Sequence, residues 1–195
     1  MKKTILVAVA LLCLCGTAAA QRHIEYKWRG FYAVLDGSYI ANFNRATTVS
    51  GDADTLSGAW MGMTAGFQFR KEAGLGAGFA YILDPTGAYS QLPLFVELRS
   101  NLMRSRLTPY FVLQGGYALP VGASSTTVKI TKGGLYFGAE FGARYAIDRS
   151  FAIGMHVGDK LLNAAEITRF EDNGIFKKAD PTTLHAFNVG ISLHF

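Results

Sequence analysis

The last nine residues restrict the chain to one kind of backbone. Phe187, Val189, Ile191, Leu193 and Phe195 are apolar, and Asn188, Gly190, Ser192 and His194 between them are small or polar. A period of two places alternate side chains on opposite faces of a β-strand. On a helix the same residues would form no coherent apolar face. The pattern returns along the chain. Leu135, Phe137, Ala139, Phe141, Ala143, Tyr145 and Ile147 alternate with Tyr136, Gly138, Glu140, Gly142, Arg144 and Ala146. Met61, Met63, Ala65, Phe67 and Phe69 alternate with Gly62, Thr64, Gly66, Gln68 and Arg70, and Leu75, Ala77, Phe79, Tyr81 and Leu83 with Gly76, Gly78, Ala80, Ile82 and Asp84. Leu92, Leu94, Val96 and Leu98 alternate with Pro93, Phe95, Glu97 and Arg99, and weaker cases run over 31–43, 109–119 and 151–159. Together these predict eight strands.

Composition sharpens the reading. Half of the residues are hydrophobic, yet beyond the N-terminal leader no stretch approaches the roughly eighteen continuous apolar residues that a membrane helix needs. Strands that turn one face to lipid and the other inward reconcile the two facts. The predicted links support this. They alternate long and short, with long ones at 44–58, 85–91, 120–133 and 160–183 and short ones near 71–74, 103–107 and 148–150. Membrane barrels have short periplasmic turns and longer external loops, whereas a soluble barrel has no reason to sort its links so. The expected fold is an all-β, eight-stranded, antiparallel up-and-down transmembrane β-barrel, closed because open sheet edges cannot face lipid. A soluble barrel of the lipocalin type would need the opposite pattern, with polar residues outside and apolar ones inside.

The N-terminus reads as an export leader. Lys2 and Lys3 precede an apolar core over 5–14, and Ala18, Ala19 and Ala20 supply small residues for cleavage before Gln21. That is the pattern of a secretory signal peptide, giving residues 1–20 as signal and 21–195 as the barrel domain. Both cysteines, Cys13 and Cys15, fall in the leader, so the mature chain has no disulfide, thiolate nucleophile or cysteine metal site. Lipidation at Cys15 would want a small residue before it, where Leu14 stands. Without Lys2 and Lys3 the 19 basic residues become 17 against 14 acidic ones, a net charge of +3. That is too weak to argue for nucleic acid.

The segments LPLFVELRSNL (92–102) and TPYFVLQGGYAL (108–119), joined by a short turn, resemble the central hairpin of small outer-membrane β-barrel proteins common in Bacteroidota. These are grouped under generic "outer membrane protein beta-barrel" or porin-family headings. The size is similar to the OmpA-transmembrane and OmpX class. Ile191, Leu193 and Phe195 resemble the C-terminal signal read by the barrel-assembly machinery. The resemblance covers essentially the whole mature chain and implies an outer-membrane location among lipid and lipopolysaccharide. It carries no catalytic motif or cofactor.

The inward register carries Asp36, Arg70, Glu97, Arg99, Glu140, Arg144 and His156, with Lys160 at its margin. In a barrel this narrow, side chains fill the interior, and opposite charges are expected to pair across it as struts, since unpaired buried charge is costly. The alternative is a narrow polar path for small solutes, for which the inward glycines leave gaps. No His spacing suggests a metal site, and no nucleophile elbow or phosphate-binding loop occurs. Ser90, Ser124 and Ser125 lie near external loops without a matching histidine, and His185 with Asp180 or Glu171 is a weak rim pair. No enzyme activity is expected. The external loops are the other candidate surface, with no ligand legible in them.

Overall fold

The computed structural model describes residues 29–42, 46–47, 53–54, 57–83, 90–121, 128–164, 166–170, 176–178 and 182–195. The leader expected over 1–20 lies outside them. Eight strands form one closed barrel: β1 Gly30–Asn42, β2 Ser57–Arg70, β3 Ala73–Leu83, β4 Gln91–Asn101, β5 Leu107–Pro120, β6 Gly134–Ala146, β7 Ala152–Ala164 and β8 Thr182–His194. Each strand pairs antiparallel with its neighbours in sequence, and β1 closes on β8 from Val34 opposite His194 to Asn42 opposite Ala186. Reciprocal backbone bonds clasp this seam, Ala33 N–H to Phe195 O at 3.1 Å and Phe195 N–H to Ala33 O at 2.9 Å. The eight-stranded meander expected from the alternation is what forms.

The strands reach further into the expected loops than the alternation suggested. Ser57 and Gly58 belong to β2, Gln91 to β4, Pro120 to β5, and residues 160–164 to β7. Within the long connections, Ala46–Thr47 pairs with Ala53–Asp54, and Val128–Lys132, Glu166–Phe170 and Phe176–Lys178 form a three-stranded sheet. The short links and both barrel termini lie at one end, hereafter the turn end, and the long links at the other, the loop end. The turns are locally specified. Asp148 Oδ1 accepts the amide N–H groups of Ser150 (2.6 Å) and Phe151 (2.7 Å), closing the β6–β7 turn as an aspartate side chain does when it mimics a backbone turn. In the β4–β5 link, Thr108 Oγ1 donates to Ser105 O at 2.6 Å.

The alternation becomes burial strand by strand, most regularly in β6, where every second residue is inside. Leu35, Met61, Phe79, Val96, Leu98 and Phe141 stand exposed on the outer wall with many other large apolar side chains, a patch far beyond what a water-soluble surface carries. Ile191 and Phe195 belong to that outer surface, and Leu193 is half-buried.

Where the strands come close, glycine is obligatory. A Cβ on Gly116 of β5 would lie 1.9 Å from Leu94 O and 2.6 Å from Phe95 Cα in the β4 backbone. Neither atom can swing away, so Gly116→Ala must push β5 and β4 apart. The expected loss is about 1–3 kcal/mol or more, measured by urea unfolding of the refolded barrel. A change within 0.5 kcal/mol, the usual range for an innocuous site, would contradict this close approach.

Candidate functional site

Asp36, Glu97, Arg99, Glu140, Arg144 and His156 all point into the barrel, and all but Asp36 are fully buried. Arg70 is the exception. The β2–β3 register shifts between Gln68 and Arg70, so the inward alternation ends at Gln68, which is buried and donates Nε2 to the carbonyls of Arg70 (2.6 Å) and Lys71 (3.1 Å). Arg70 is exposed at the turn end. The bulge is invisible to a strict period of two. Arg70→Ala is therefore expected to stay within about 0.5 kcal/mol of the parent in urea unfolding, while Arg99→Ala costs about 3–5 kcal/mol by stranding Glu97. Equal effects would overturn the assignment.

Lys160, at the margin of the inward register and at the boundary expected for the last external loop, belongs to the lumen: it is completely buried on β7, with Nζ 2.6 Å from Glu140 Oε1. Its ammonium also lies 3.6 Å from the Trp60 ring centroid and donates to Tyr136 OH at 3.4 Å. The ion pair and the cation–π contact together satisfy a charge that would otherwise be very costly in this interior.

The second ion pair is Arg99 with Glu97, where Nε donates to Oε1 at 2.8 Å. Glu97 also accepts from Gln114 Nε2 (3.2 Å), Thr64 Oγ1 (3.4 Å) and Tyr32 OH (3.5 Å). The Arg99 guanidinium faces the rings of Tyr110 at 5.2 Å and Tyr32 at 5.7 Å. The two pairs are joined. Lys160 donates to Tyr136, Tyr136 OH to Gln114 Oε1 at 2.5 Å, and Gln114 to Glu97. This hydrogen-bonded chain links the inner faces of four successive strands, β7, β6, β5 and β4. Nearer the turn end, Tyr110 OH meets Ser192 Oγ at 3.2 Å, and Ser192 Oγ meets His194 Nε2 at 2.9 Å. A recess of about 80 Å³ beside Gln68, Asn101, Arg144 and His194 remains at that end, room for a few waters.

The interior is not uniformly charged. Its loop-end half is apolar: Ile40, Trp60, Ile82, Phe95, Tyr136 and Leu162 form one buried cluster. Trp60 stacks on Tyr136 with centroids 5.5 Å apart and planes 27° apart, and Phe95 packs on both at 6.1 and 5.7 Å. These rings, with Gln114, Asn188 and Tyr110, are the site residues that a search for charge passes over. Their signal was their inward register, since Phe95, Ile82 and Tyr136 alternate with wall residues exactly as the charges do. The rim residues Ser124, Ser125, Glu171 and Asp180 lie outside the described residues. His185 Nδ1 is 3.8 Å from Asp159 Oδ2 on an exposed surface, with no serine hydroxyl bonded to it among the described residues.

No protein-family model and no curated protein sequence matches the chain. Solved structures do. Neisserial surface protein A superposes with a TM-score of 0.60 at 11% identity, covering 85% of this chain and 96% of that one. The outer membrane protein OprG from Pseudomonas aeruginosa gives a TM-score of 0.55 at 16% identity, over 88% of this chain and 99% of that one. At such identities the likeness is one of fold: this chain is similar to small, eight-stranded outer-membrane barrels along almost their whole length.

Proposed function

We propose that this chain is an integral outer-membrane β-barrel whose lumen is closed, and that it acts as a structural and surface-interaction protein through its external connections. The observation that carries the closed lumen is the stacked cluster of Trp60, Phe95 and Tyr136, lying over two buried ion pairs. An eight-stranded barrel is only wide enough to be filled by side chains, and here both large rings and paired charges fill it. The apolar outer wall supports insertion in lipid, because the same wall in water would drive aggregation. The export leader, the two barrel termini on the short-turn side and the long links opposite support placement with the long links outside. Membrane lipid and lipopolysaccharide are then its surroundings, the assembly machinery its partner during biogenesis, and no catalytic step is assigned to it.

Planar-bilayer recording of the refolded mature protein tests this, with a heat-modifiability gel confirming that the barrel has folded. The expected result is a folded and electrically silent barrel. Steady, ion-selective currents that change when Arg99 or Glu140 is neutralised would overturn the closed lumen in favour of a narrow channel. Partition of the folded protein into the aqueous phase without detergent would overturn membrane insertion itself.

A further inference from the structure

Several acceptors in the middle of the barrel have nothing to accept from. Asn188 is completely buried and donates Nδ2 to Glu140 Oε1 at 3.3 Å. That bond directs its Oδ1 away, and the oxygen has no hydrogen-bond partner among the described residues. Asp36 Oδ1 and Ser38 Oγ also lack a partner, as do both ring nitrogens of His156, the donor as well as the acceptor. His156 is 98% buried, and its Nε2 lies 3.2 Å from Asp36 Oδ2 without the alignment of a hydrogen bond. Buried polar atoms without partners are rare, and they point to an occupant that supplies what is missing. The other two lumen carboxylates are answered by side chains, Glu97 by Arg99 and Glu140 by Lys160. Asp36 is set against an imidazole. Gly190 keeps this place open, since a Cβ there would fall 2.7 Å from His156 Nε2 and 2.4 Å from Ser38 Cβ.

We propose that Asp36 of β1, Glu140 of β6 and His156 of β7 bind one divalent transition-metal ion of the zinc or manganese class, tying three strands together across the lumen. Each residue offers one donor atom, and all three atoms lie within 4.8 Å of one another. Metal–ligand bonds of about 2.0–2.2 Å bring donors to within about 3.5 Å of each other, so the three need converge by roughly 1 Å. One imidazole with carboxylate oxygens and no sulfur suits zinc, manganese or iron(II) rather than copper(I). The Lys160 ammonium, 2.6 Å from Glu140, and the nearby Arg99 oppose the cation. Glu140 must be shared between Lys160 and the metal, so micromolar rather than nanomolar affinity is expected.

The test uses the mature barrel refolded in detergent micelles, with Zn²⁺ as probe in competition with a chromogenic chelator and Co²⁺ as an optical reporter. Expected are one equivalent bound, a Co²⁺ ligand-field band, and affinity weakened at least tenfold by His156→Ala or Asp36→Asn. His185→Ala, which removes the exposed histidine beside Asp159, should leave binding unchanged. Loss of binding in His185→Ala with retention in His156→Ala would overturn the site, as would fewer than half an equivalent bound by the parent. If the lumen variants fail to fold, the parent protein decides alone. Zn²⁺ should raise the temperature at which its folded gel band is lost, and no shift at millimolar Zn²⁺ would mean that only water meets these atoms.

Discussion

Replacing Glu140 by Gln is expected to cost the barrel about 3–5 kcal/mol, the penalty for stranding one member of a buried ion pair. Lys160 has zero exposure and its closest anionic atom is Glu140 Oε1 at 2.6 Å. Once that carboxylate is replaced by a neutral amide, the ammonium keeps a hydrogen bond to an uncharged carbonyl, the Trp60 ring and the Tyr136 hydroxyl, but loses its counter-charge. Lys160→Met should cost a similar amount by leaving the carboxylate stranded. The double variant Glu140→Leu with Lys160→Met should recover most of the loss, because apolar pairs of matching volume often replace buried ion pairs without penalty. Urea titration in lipid vesicles, scoring folded and unfolded bands, measures all three. Single variants within 1 kcal/mol of the parent, or a double variant as unstable as the sum of the singles, would mean that the pair is hydrated and not buried as described.

Trp60→Ala is expected to be about as severe, at roughly 3–5 kcal/mol. Trp60 is 1% exposed, stacks on Tyr136, touches Phe95 and carries the Lys160 ammonium 3.6 Å above its ring. Its removal deletes the largest side chain of the apolar cluster and half of the cation's support. Trp60→Phe should restore more than half of the loss, since a ring remains to stack on Tyr136 and to face Lys160, though a weaker one. The same urea titration applies. A Trp60→Ala barrel as stable as its parent would show that the rings do not pack as a unit.

Much of this was legible from spacing alone. Alternation of Leu135 through Ile147, or of Phe187 through Phe195, fixes strand, face and register together, because a slip of one residue would turn every side chain to the wrong side. Long and short links then gave the closed meander. What escaped did so for physical reasons. Arg70 obeys the period on paper, but a bulge beside the tight Lys71–Glu72 turn ends the inward alternation at Gln68. Lys160 stands where the clear alternation of its segment ends, so spacing leaves it between lumen and loop; a carboxylate and two aromatic rings inside decide for the lumen. Trp60, Phe95 and Tyr136 are apolar residues on the inward face, where only polarity was sought. Glu97 and Gln114 are register partners in the β4–β5 hairpin, whereas Asp36 of β1 and His156 of β7 meet past the intervening β8, which only closure of the barrel brings about.

The clasp between Ala33 and Phe195 has a kinetic consequence. Every other strand pairing in the barrel joins neighbours along the chain, so hairpins can form early at a small cost in loop entropy. The β1–β8 pairing joins residues more than 140 positions apart, from Val34 with His194 to Asn42 with Ala186, and must wait until the rest of the wall has curled round. Until then two strand edges with unpaired amides and carbonyls stand open, one at each end of the chain. The barrel is therefore a zip with a single late tooth, and weakening that seam should slow closure and lengthen the life of an open-edged intermediate more than it lowers the stability of the finished wall.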